Sequence, residues 1–256
     1  MYKRPHHQLI EKVISSLNIN LLTKTNTFFG GGTAIALLLD EYRESIDIDF
    51  LCSSSEGFST LRNSVTNNLG DILTNPIEHI RDINVSRDAI RAILRIDGKP
   101  IKIEFIKEGN STVSGEFNTL LKVPTLSKID MFTQKILANA DRGMDKSINS
   151  RDIIDLAMMI HYWGGIPKEA LDKSYKAYSD YAKRGLKNSV NLIQDSSYLQ
   201  KCIENLKMES GNLNLIKSIF KSFQNQYNNA SNDSWNILMS DNYNKQKKSI
   251  SSKLDF

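Results

Sequence analysis

The stretch TNTFFGGGTAIALLLDEYRESIDIDF, residues 25–50, decides the fold. Its first segment, TNTFF, favours extended backbone and runs straight into three consecutive glycines. The apolar run AIALLLDEY that follows predicts a buried helix. We therefore expect a strand, a glycine turn and a helix in that order, an arrangement that leaves the first N–H groups of the helix free to bind phosphate.

The segment after this helix, SIDIDFLC, predicts a second strand because apolar and acidic residues alternate along it. Ile46, Ile48 and Phe50 would face the core, and Asp47 and Asp49 would share the opposite face. Two like charges on one strand face repel each other, so a bound cation is the simplest compensation. Magnesium takes carboxylate ligands together with substrate phosphates, whereas the alternative interpretation is a solvated strand face.

The glycine turn is the second part of the predicted site. Gly31 and Gly32 lack Cβ atoms, so the backbone can approach phosphate oxygens closely, and Thr33 adds a hydroxyl. A glycine turn by itself more often marks tight packing than a ligand site. Its position beside the aspartate pair is what favours a nucleotide-binding role.

A third acid lies on the last of three extended runs, PIEHIRDINV, DAIRAILRID and PIKIEFIKEG, which follow a predicted helix at residues 57–69. The second and third runs meet at Asp97 and Gly98, a pair typical of a hairpin turn. Glu104 then belongs to the same sheet as the aspartates, and we expect it to complete a two-metal site. The alternative is a charge pair between Lys102 and Glu104 on an exposed edge strand.

The chain changes character near Pro124, which makes GEFNTLLKVP the predicted domain boundary. An amphipathic helix is expected ahead of the sheet, at residues 7–18, and the C-terminal half is predicted to be helical in five segments: TLSKIDMFTQKILANADR, SRDIIDLAMMIHYW, and residues near 167–183, 186–207 and 212–226. We predict an α+β fold in which residues 1–122 form a mixed sheet flanked by helices. Residues 123–256 would form an all-helical domain with a polar tail from about residue 228.

Charged residues on the first two of these C-terminal helices extend the candidate site. The first helix carries three cations spaced seven residues apart: Lys128, Lys135 and Arg142. Such a basic face could hold a triphosphate or an RNA backbone through Lys135, whereas a solvated helix face is the alternative. Asp152 and Asp155 open the next helix, either as site residues or as acids favoured by the helix dipole behind a Ser150 cap.

Composition narrows the setting in which this chain works. Its 256 residues are 40% hydrophobic and 24% charged, and a net charge of +4 weakly favours a polyanionic partner. Two distant cysteines exclude a disulfide framework and a Cys-rich zinc module. No apolar run has the length of a membrane helix and no signal peptide is recognisable, so we expect a cytoplasmic protein without a membrane partner. The histidines show no metal-ligand spacing and are expected to be structural or exposed: His6, His7, His79 and His161.

Taken together, these segments resemble the AbiEii/AbiGii family of nucleotidyltransferase toxins, within the DNA-polymerase-beta-like nucleotidyltransferase superfamily. GGTAIALLLDEYRESIDIDF resembles the family's glycine turn, helix and R-x-S-h-D-h-D-F strand. IKIEFI resembles its third-acid strand, and FTQKILANADR with SRDIIDL resembles its K-x-x-A and R-D-x-x-D-L helices. The likeness extends from about Phe28 to Leu156.

The resemblance implies a nucleotidyltransferase-fold N-terminal domain that moves a nucleotidyl group from an NTP to an acceptor, with Mg²⁺ or Mn²⁺ as cofactor. It implies RNA as the acceptor, tRNA in some relatives, and the toxin half of a toxin–antitoxin or phage-defence pair with a cognate antitoxin. Catalysis and metal binding fall to Asp47, Asp49 and Glu104. Nucleotide binding falls to Gly31, Gly32, Thr33, Ser45, Lys135 and Asp152.

Two other functions share these motifs. A small-molecule nucleotidyltransferase of the antibiotic-modifying kind needs an acidic pocket for a cationic acceptor, and the basic helix face disfavours it. A non-catalytic nucleotide- or RNA-binding module would bind the same ligands without turnover, and the three intact acids disfavour that.

Overall fold

The computed structural model describes residues 2–65 and 68–227, with side chains up to residue 221. The chain divides into two compact units, an N-terminal unit, Met1–Met131, and a C-terminal unit, Phe132–Phe256. The predicted polar tail from about residue 228 lies outside the described residues. In the part of the chain that is described, no helix is long and apolar enough to cross a membrane.

A seven-stranded mixed sheet forms the centre of the N-terminal unit. Its strands are β1 Thr27–Gly30, β2 Asp47–Cys52, β3 Asn84–Val85, β4 Ala89–Ile96, β5 Lys99–Lys107, β6 Gly115–Asn118 and β7 Val123–Leu126. They lie in the order β3-β4-β5-β2-β1-β7-β6. Neighbours are antiparallel except β2 with β5 and β1 with β7, which are parallel. The predicted mixed sheet of an α+β fold is therefore confirmed.

The core of the sheet is aromatic where its three central strands meet. Three phenylalanines are fully buried there: Phe29 on β1, Phe50 on β2 and Phe105 on β5. The ring centroid of Phe50 lies 5.4 Å from that of Phe29 and 5.1 Å from that of Phe105. The alternation predicted for β2 holds from Ile48, which is also fully buried. Ile46 was expected to face the core, but it precedes the strand and is 53% exposed.

Helices flank the sheet at α1 Pro5–Ser15, α2 Ile19–Lys24, α3 Gly31–Leu38 and α4 Ser55–Ser64. The short α2 has no sequence periodicity to reveal it and depends on its cap, because the Asn18 side chain accepts a hydrogen bond from the Leu21 N–H. A one-turn 3₁₀ helix follows at Gly70–Ile72. The predicted helices at residues 7–18 and 57–69 thus correspond to α1 and α4, and each observed helix begins and ends a few residues before the predicted one.

The predicted boundary segment GEFNTLLKVP forms a hairpin of the sheet. β6 and β7 pair antiparallel, and β7 pairs parallel with β1 through Phe29 and Thr125. All four β7 residues are buried. A proline within a short apolar run is a poor strand signal, so the sequence does not reveal this hairpin. The sheet continues beyond residue 122, and the N-terminal unit ends at Met131.

The named elements of the C-terminal unit are all helices within its described residues, 132–227, and turns join them. Its helices are the remainder of α5 Lys128–Arg142, then α6 Arg151–Trp163, α7 Lys168–Tyr178, α8 Asp180–Leu192, α9 Ser196–Asn205 and α10 Asn212–Tyr227. The continuous pattern near 167–183 is broken at Ser179, whose φ of 49° is left-handed and ends α7. Nearly all of α6 is buried, so it forms the core of this unit.

Candidate active site

The glycine turn between β1 and α3 lies directly against the carboxylate of Asp49. Gly31 has a φ of +67°, a left-handed conformation that favours glycine. A Cβ at this position would lie 2.6 Å from Oδ2 of Asp49, closer than real Cβ contacts come. Gly31 is therefore required twice, once by the backbone and once by the space that Asp49 fills. The two segments singled out in the sequence meet at this point.

Strand register brings the three predicted acids together on one face of the sheet. Asp49 pairs with Gly30 of β1 on one side and with Glu104 of β5 on the other, and Asp47 pairs with Lys102. Neighbouring strands lie about 4.8 Å apart, so Asp49 and Glu104 are adjacent side chains. Asp47 and Asp49 are half-buried. This face therefore runs from a glycine turn to a row of acids.

Glu104 is held by two cations. Arg91 Nε donates to Glu104 Oε1 at 2.6 Å, and Lys102 Nζ donates to Oε2 at 2.5 Å. Burial acts to raise the pKa of Glu104, but the hydrogen bonds and charges of Lys102 and Arg91 outweigh it and lower that pKa. Glu104 is consequently ionised at neutral pH, and both of its oxygens are occupied by protein groups.

Arg91 is the site residue that motif reading missed, although the sequence contains a signal for it. The two-residue turn at Asp97 and Gly98 fixes the register of the β4–β5 hairpin. Counting back equally from that turn pairs Arg91 with Glu104, as observed. Hairpin register predicts this contact, whereas no motif does.

Lys102 faces all three acids. Partial burial acts to lower the pKa of its ammonium group. The hydrogen bond and charge of Glu104, with the charges of Asp47 and Asp49, outweigh that effect and raise the pKa. Lys102 thus remains charged and partly neutralises the acidic face.

The donor set fits a divalent cation bound by two carboxylates. Asp47 and Asp49 offer hard oxygen ligands on the strand next to the glycine turn, and magnesium uses one or two carboxylates plus substrate phosphates. Within residues 2–65 and 68–227, no three His, Cys, Asp or Glu side chains are arranged to hold a metal ion. Glu104 is directed at Arg91 and Lys102 instead, so its predicted ligand role requires those ion pairs to open.

Thr33 and Ser45 form the floor of the glycine turn. The Thr33 side chain is buried and its hydroxyl hydrogen-bonds to Ser45 Oγ at 2.8 Å and to the backbone carbonyl of Asp47. Gly32 has no room for a Cβ because the guanidinium of buried Arg43 occupies that position. These contacts fix the start of β2 against α3, so Thr33 positions Asp47 through its carbonyl.

A buried histidine supports this floor from α1. His7 Nδ1 lies 2.8 Å from Glu41 Oε2, and the Ser45 N–H donates to His7 Nε2 at 3.2 Å. Because Nε2 accepts that bond, the ring is neutral with its proton on Nδ1, donated to Glu41. Burial lowers the pKa of His7 despite the hydrogen bond and charge of Glu41. His7 is thus structural, and it positions Ser45.

The predicted residues of the C-terminal unit form a buried ion-pair cluster. Lys135 Nζ lies 3.0 Å from Asp152 Oδ1 and 2.6 Å from Asp155 Oδ2. Arg142 Nε donates to Asp152 Oδ2 at 2.7 Å. Burial acts to raise the pKa of Asp152, but the charges and hydrogen bonds of Lys135 and Arg142 hold it far below its usual range. Ser150 does not cap α6 with its side chain, because its hydroxyl bonds to Tyr198.

These contacts show that Lys135 on α5 is buried in ion pairs and does not lie on an open basic helix face. The Lys135 side chain is only 6% exposed and its charge is matched by two aspartates, so it does not present a free cation to solvent. Its role and that of Asp152 in nucleotide binding stay predictions.

Comparison with known proteins gives the family. The model of the family described as "Nucleotidyl transferase AbiEii toxin, Type IV TA system" matches residues 19–238, which is most of the chain. No curated protein matches this chain. A candidate nucleotidyltransferase from H. pylori is 16% identical, with a TM-score of 0.47, over 89% of this chain and 97% of its own. An antigenic nucleotidyltransferase-like protein from Paracoccidioides brasiliensis is 19% identical, with a TM-score of 0.44, over 78% and 94%. The chain belongs to the AbiEii nucleotidyltransferase toxins of type IV toxin–antitoxin systems, and it is a nucleotidyltransferase.

Proposed function

We propose that this enzyme transfers a nucleotidyl group from an NTP to RNA, with tRNA as the foremost acceptor, and that it requires Mg²⁺ or Mn²⁺. The observation that carries the proposal is the contact between Gly31 and Asp49, with Glu104 in register on the next strand. Family membership implies an NTP substrate and a cognate antitoxin. The acceptor and the metal are our inference from the site.

The carboxylates of Asp47 and Asp49 would hold the metal beside the triphosphate. A bound Mg²⁺ neutralises phosphate charge and makes an acceptor hydroxyl easier to deprotonate. The N-terminus of the eight-residue α3, which begins at Gly31, offers free N–H groups to phosphate oxygens. The pyrophosphate portion of the NTP therefore belongs at the glycine turn.

The reaction is an in-line displacement. A new bond forms between the acceptor oxygen and the α-phosphorus, and the bond from that phosphorus to the pyrophosphate oxygen breaks. The ionised Glu104 would receive the hydroxyl proton once an ion pair with Arg91 or Lys102 opens. Thr33 and Ser45 keep the start of β2, and with it Asp47, in place during this step.

RNA is preferred as the acceptor on grounds of charge. The chain has a net charge of +4, and Arg91 and Lys102 bring cations to the border of the acidic face. Cations at that point favour a polyanionic acceptor and disfavour the cationic acceptors of antibiotic-modifying enzymes. NTPs and tRNA occur together in the cytoplasm, where we expect the enzyme to act.

A transfer assay tests this proposal. The protein is incubated with each α-³²P-labelled NTP, Mg²⁺ and purified tRNA, and parallel reactions replace tRNA with an aminoglycoside or omit the metal. We expect labelled tRNA, lengthened by one or more nucleotides, only in the reactions that contain metal. Label on the aminoglycoside would favour the small-molecule enzyme. Binding of NTP and tRNA without any transfer would favour the non-catalytic module.

A further inference from the structure

A cationic pocket lies beside Glu104, on the side away from the glycine turn. It has a volume of about 340 Å³ and is lined by three cations, Arg81, Arg91 and Lys102. Asp82 and Asn84 also line it, and Glu104 beside it pairs with Arg91 and Lys102, so three positive charges meet two carboxylates. A pocket of this volume is large enough for part of a nucleotide. Its charge favours an anionic ligand.

The sheet places the acids between this pocket and the glycine turn. Arg91 lies on β4 opposite Glu104 of β5, and residues directly opposite each other point to the same side of a sheet. Asp49 of β2 comes next, followed by the turn at the end of β1. The order along the face is therefore cations, acids and phosphate-binding turn.

This order matches the demands of in-line transfer. The attacking and leaving oxygens lie on opposite sides of the phosphorus. If the pyrophosphate lies at Gly31, the acceptor must approach from the far side of Asp49. The far side is where the pocket opens, next to Glu104, the group assigned to the acceptor hydroxyl.

The cations of the pocket retain capacity for a ligand. Arg91 and Lys102 are paired with Glu104, yet their side chains are 46% and 41% exposed. Arginine has five N–H donors, and the bond to Glu104 uses the one on Nε. Arg81 is exposed and makes no ion pair within the described residues. A phosphate entering the pocket would therefore find donors on both walls.

We propose that the pocket formed by Arg81, Arg91 and Lys102 binds a backbone phosphate of the acceptor RNA, next to its reactive hydroxyl. This inference rests on the proposed function, since it takes its orientation from NTP at the glycine turn. It makes the cations responsible for recognition of the acceptor and leaves the NTP to Gly31, Asp47 and Asp49. A phosphate in the pocket would also draw Arg91 and Lys102 away from Glu104.

Arg81→Ala tests the pocket without touching the acids, and Arg87→Ala is its matched control. Arg87→Ala removes the same charge from the same region. The Arg87 side chain is 88% exposed and does not line the pocket. The first readout is binding of 5′-fluorescein-labelled tRNA in the absence of NTP, by fluorescence anisotropy at several salt concentrations. The second is KM for tRNA and for NTP in the transfer assay.

We expect Arg81→Ala to weaken tRNA binding and to raise KM for tRNA by about tenfold, with KM for NTP within about twofold of wild type. The slope of log affinity against log salt concentration should become shallower by about 1, the change expected for the loss of one phosphate contact. Arg87→Ala should match wild type. Equal losses in both variants, no loss in either, or a raised KM for NTP alone would overturn the pocket assignment. If Arg81→Ala weakens tRNA binding but the wild-type protein transfers no nucleotide, the proposed function is refuted and the assignment of the pocket as an RNA-binding site is retained.

Discussion

The carboxylate of Asp49 fills the space that a side chain at Gly31 would need. A Cβ on Gly31 would lie 2.6 Å from Asp49 Oδ2, so the glycine turn and the acid pair are mutually fitted. The contact joins the element suited to phosphate with an element suited to a metal ion. The proposed chemistry depends on this fit, and a minimal substitution can break it.

Gly31→Ala should lower the rate of transfer by about 100-fold, because displacement of Asp49 by a few tenths of an ångström or more misplaces a metal ligand. The left-handed φ also costs about 1–2 kcal/mol of stability. Gly98→Ala separates the two effects, since Gly98 has a φ of +78° and open space around its Cβ position. Both variants should lose similar stability in urea unfolding, but only Gly31→Ala should lose activity. Equal activities in the two variants would show that the contact with Asp49 is unimportant.

Lys102→Met should tighten binding of Mn²⁺ by several-fold, measured by calorimetric titration. The Lys102 ammonium faces Asp47, Asp49 and Glu104 and repels a cation bound among them. Removing a partly solvated charge at this range is worth about 1 kcal/mol. Lys99→Met is the control, because Lys99 is the exposed first residue of the same strand and alternation places it on the opposite face from Lys102. Unchanged or weaker Mn²⁺ binding in Lys102→Met would place the metal away from this lysine.

His7 should make the stability of the protein decline as the pH falls below about 6.5. Its pKa is lowered in the folded state, while the unfolded chain has the ordinary value of about 6.5. The unfolded state therefore binds more protons, so stability is complete above about pH 6.5 and declines as the pH falls below it. His7→Gln should show a shallower decline in chemical denaturation across this range. A variant with the wild-type slope would mean that His7 does not titrate as described.

Asp152→Asn should destabilise the protein by about 3–5 kcal/mol, because Lys135 and Arg142 would each lose a carboxylate partner in a buried cluster. The pKa of Asp152 is held far below its usual range, so this contribution is present above the unfolded value of about 3.9 and is lost only in stronger acid. The difference from wild type should be constant from about pH 5 to 8. Asp172→Asn, on an exposed position of α7, should change stability by less than about 0.5 kcal/mol. A mild effect of Asp152→Asn would argue for a role in ligand binding over one in stability.

The parts of the fold that sequence could predict are those governed by local periodicity. Alternation located β2, and the Asp97–Gly98 pair located the β4–β5 hairpin, because both signals lie within a few residues of chain. The β6–β7 hairpin and α2 were missed, since each is short and depends on neighbours or a single cap. The register between β2 and β5 has no local signal, because α4, a 3₁₀ helix, β3 and β4 separate the two strands in sequence.

Contacts of the site divide in the same way. The three acids could be placed on one sheet from the sequence because each lies in a patterned strand. The pairing of His7 with Glu41 was not, since it spans 34 residues and Glu41 adopts a left-handed φ of 56°. The cluster around Asp152 was likewise hidden, because periodicity places Lys135 on a helix face but does not say which charges lie opposite it.

The most direct test of the central claim is the rate of nucleotidyl transfer by Asp49→Asn, which keeps the size of the side chain and removes its charge. It is compared with wild type and with Asp88→Asn, an exposed aspartate outside the acidic face whose side chain is 60% exposed. We predict that Asp49→Asn loses at least about 100-fold in rate while its unfolding midpoint stays near that of wild type, and that Asp88→Asn is fully active. Transfer at the wild-type rate by Asp49→Asn would contradict the account, because the reaction would then take place elsewhere.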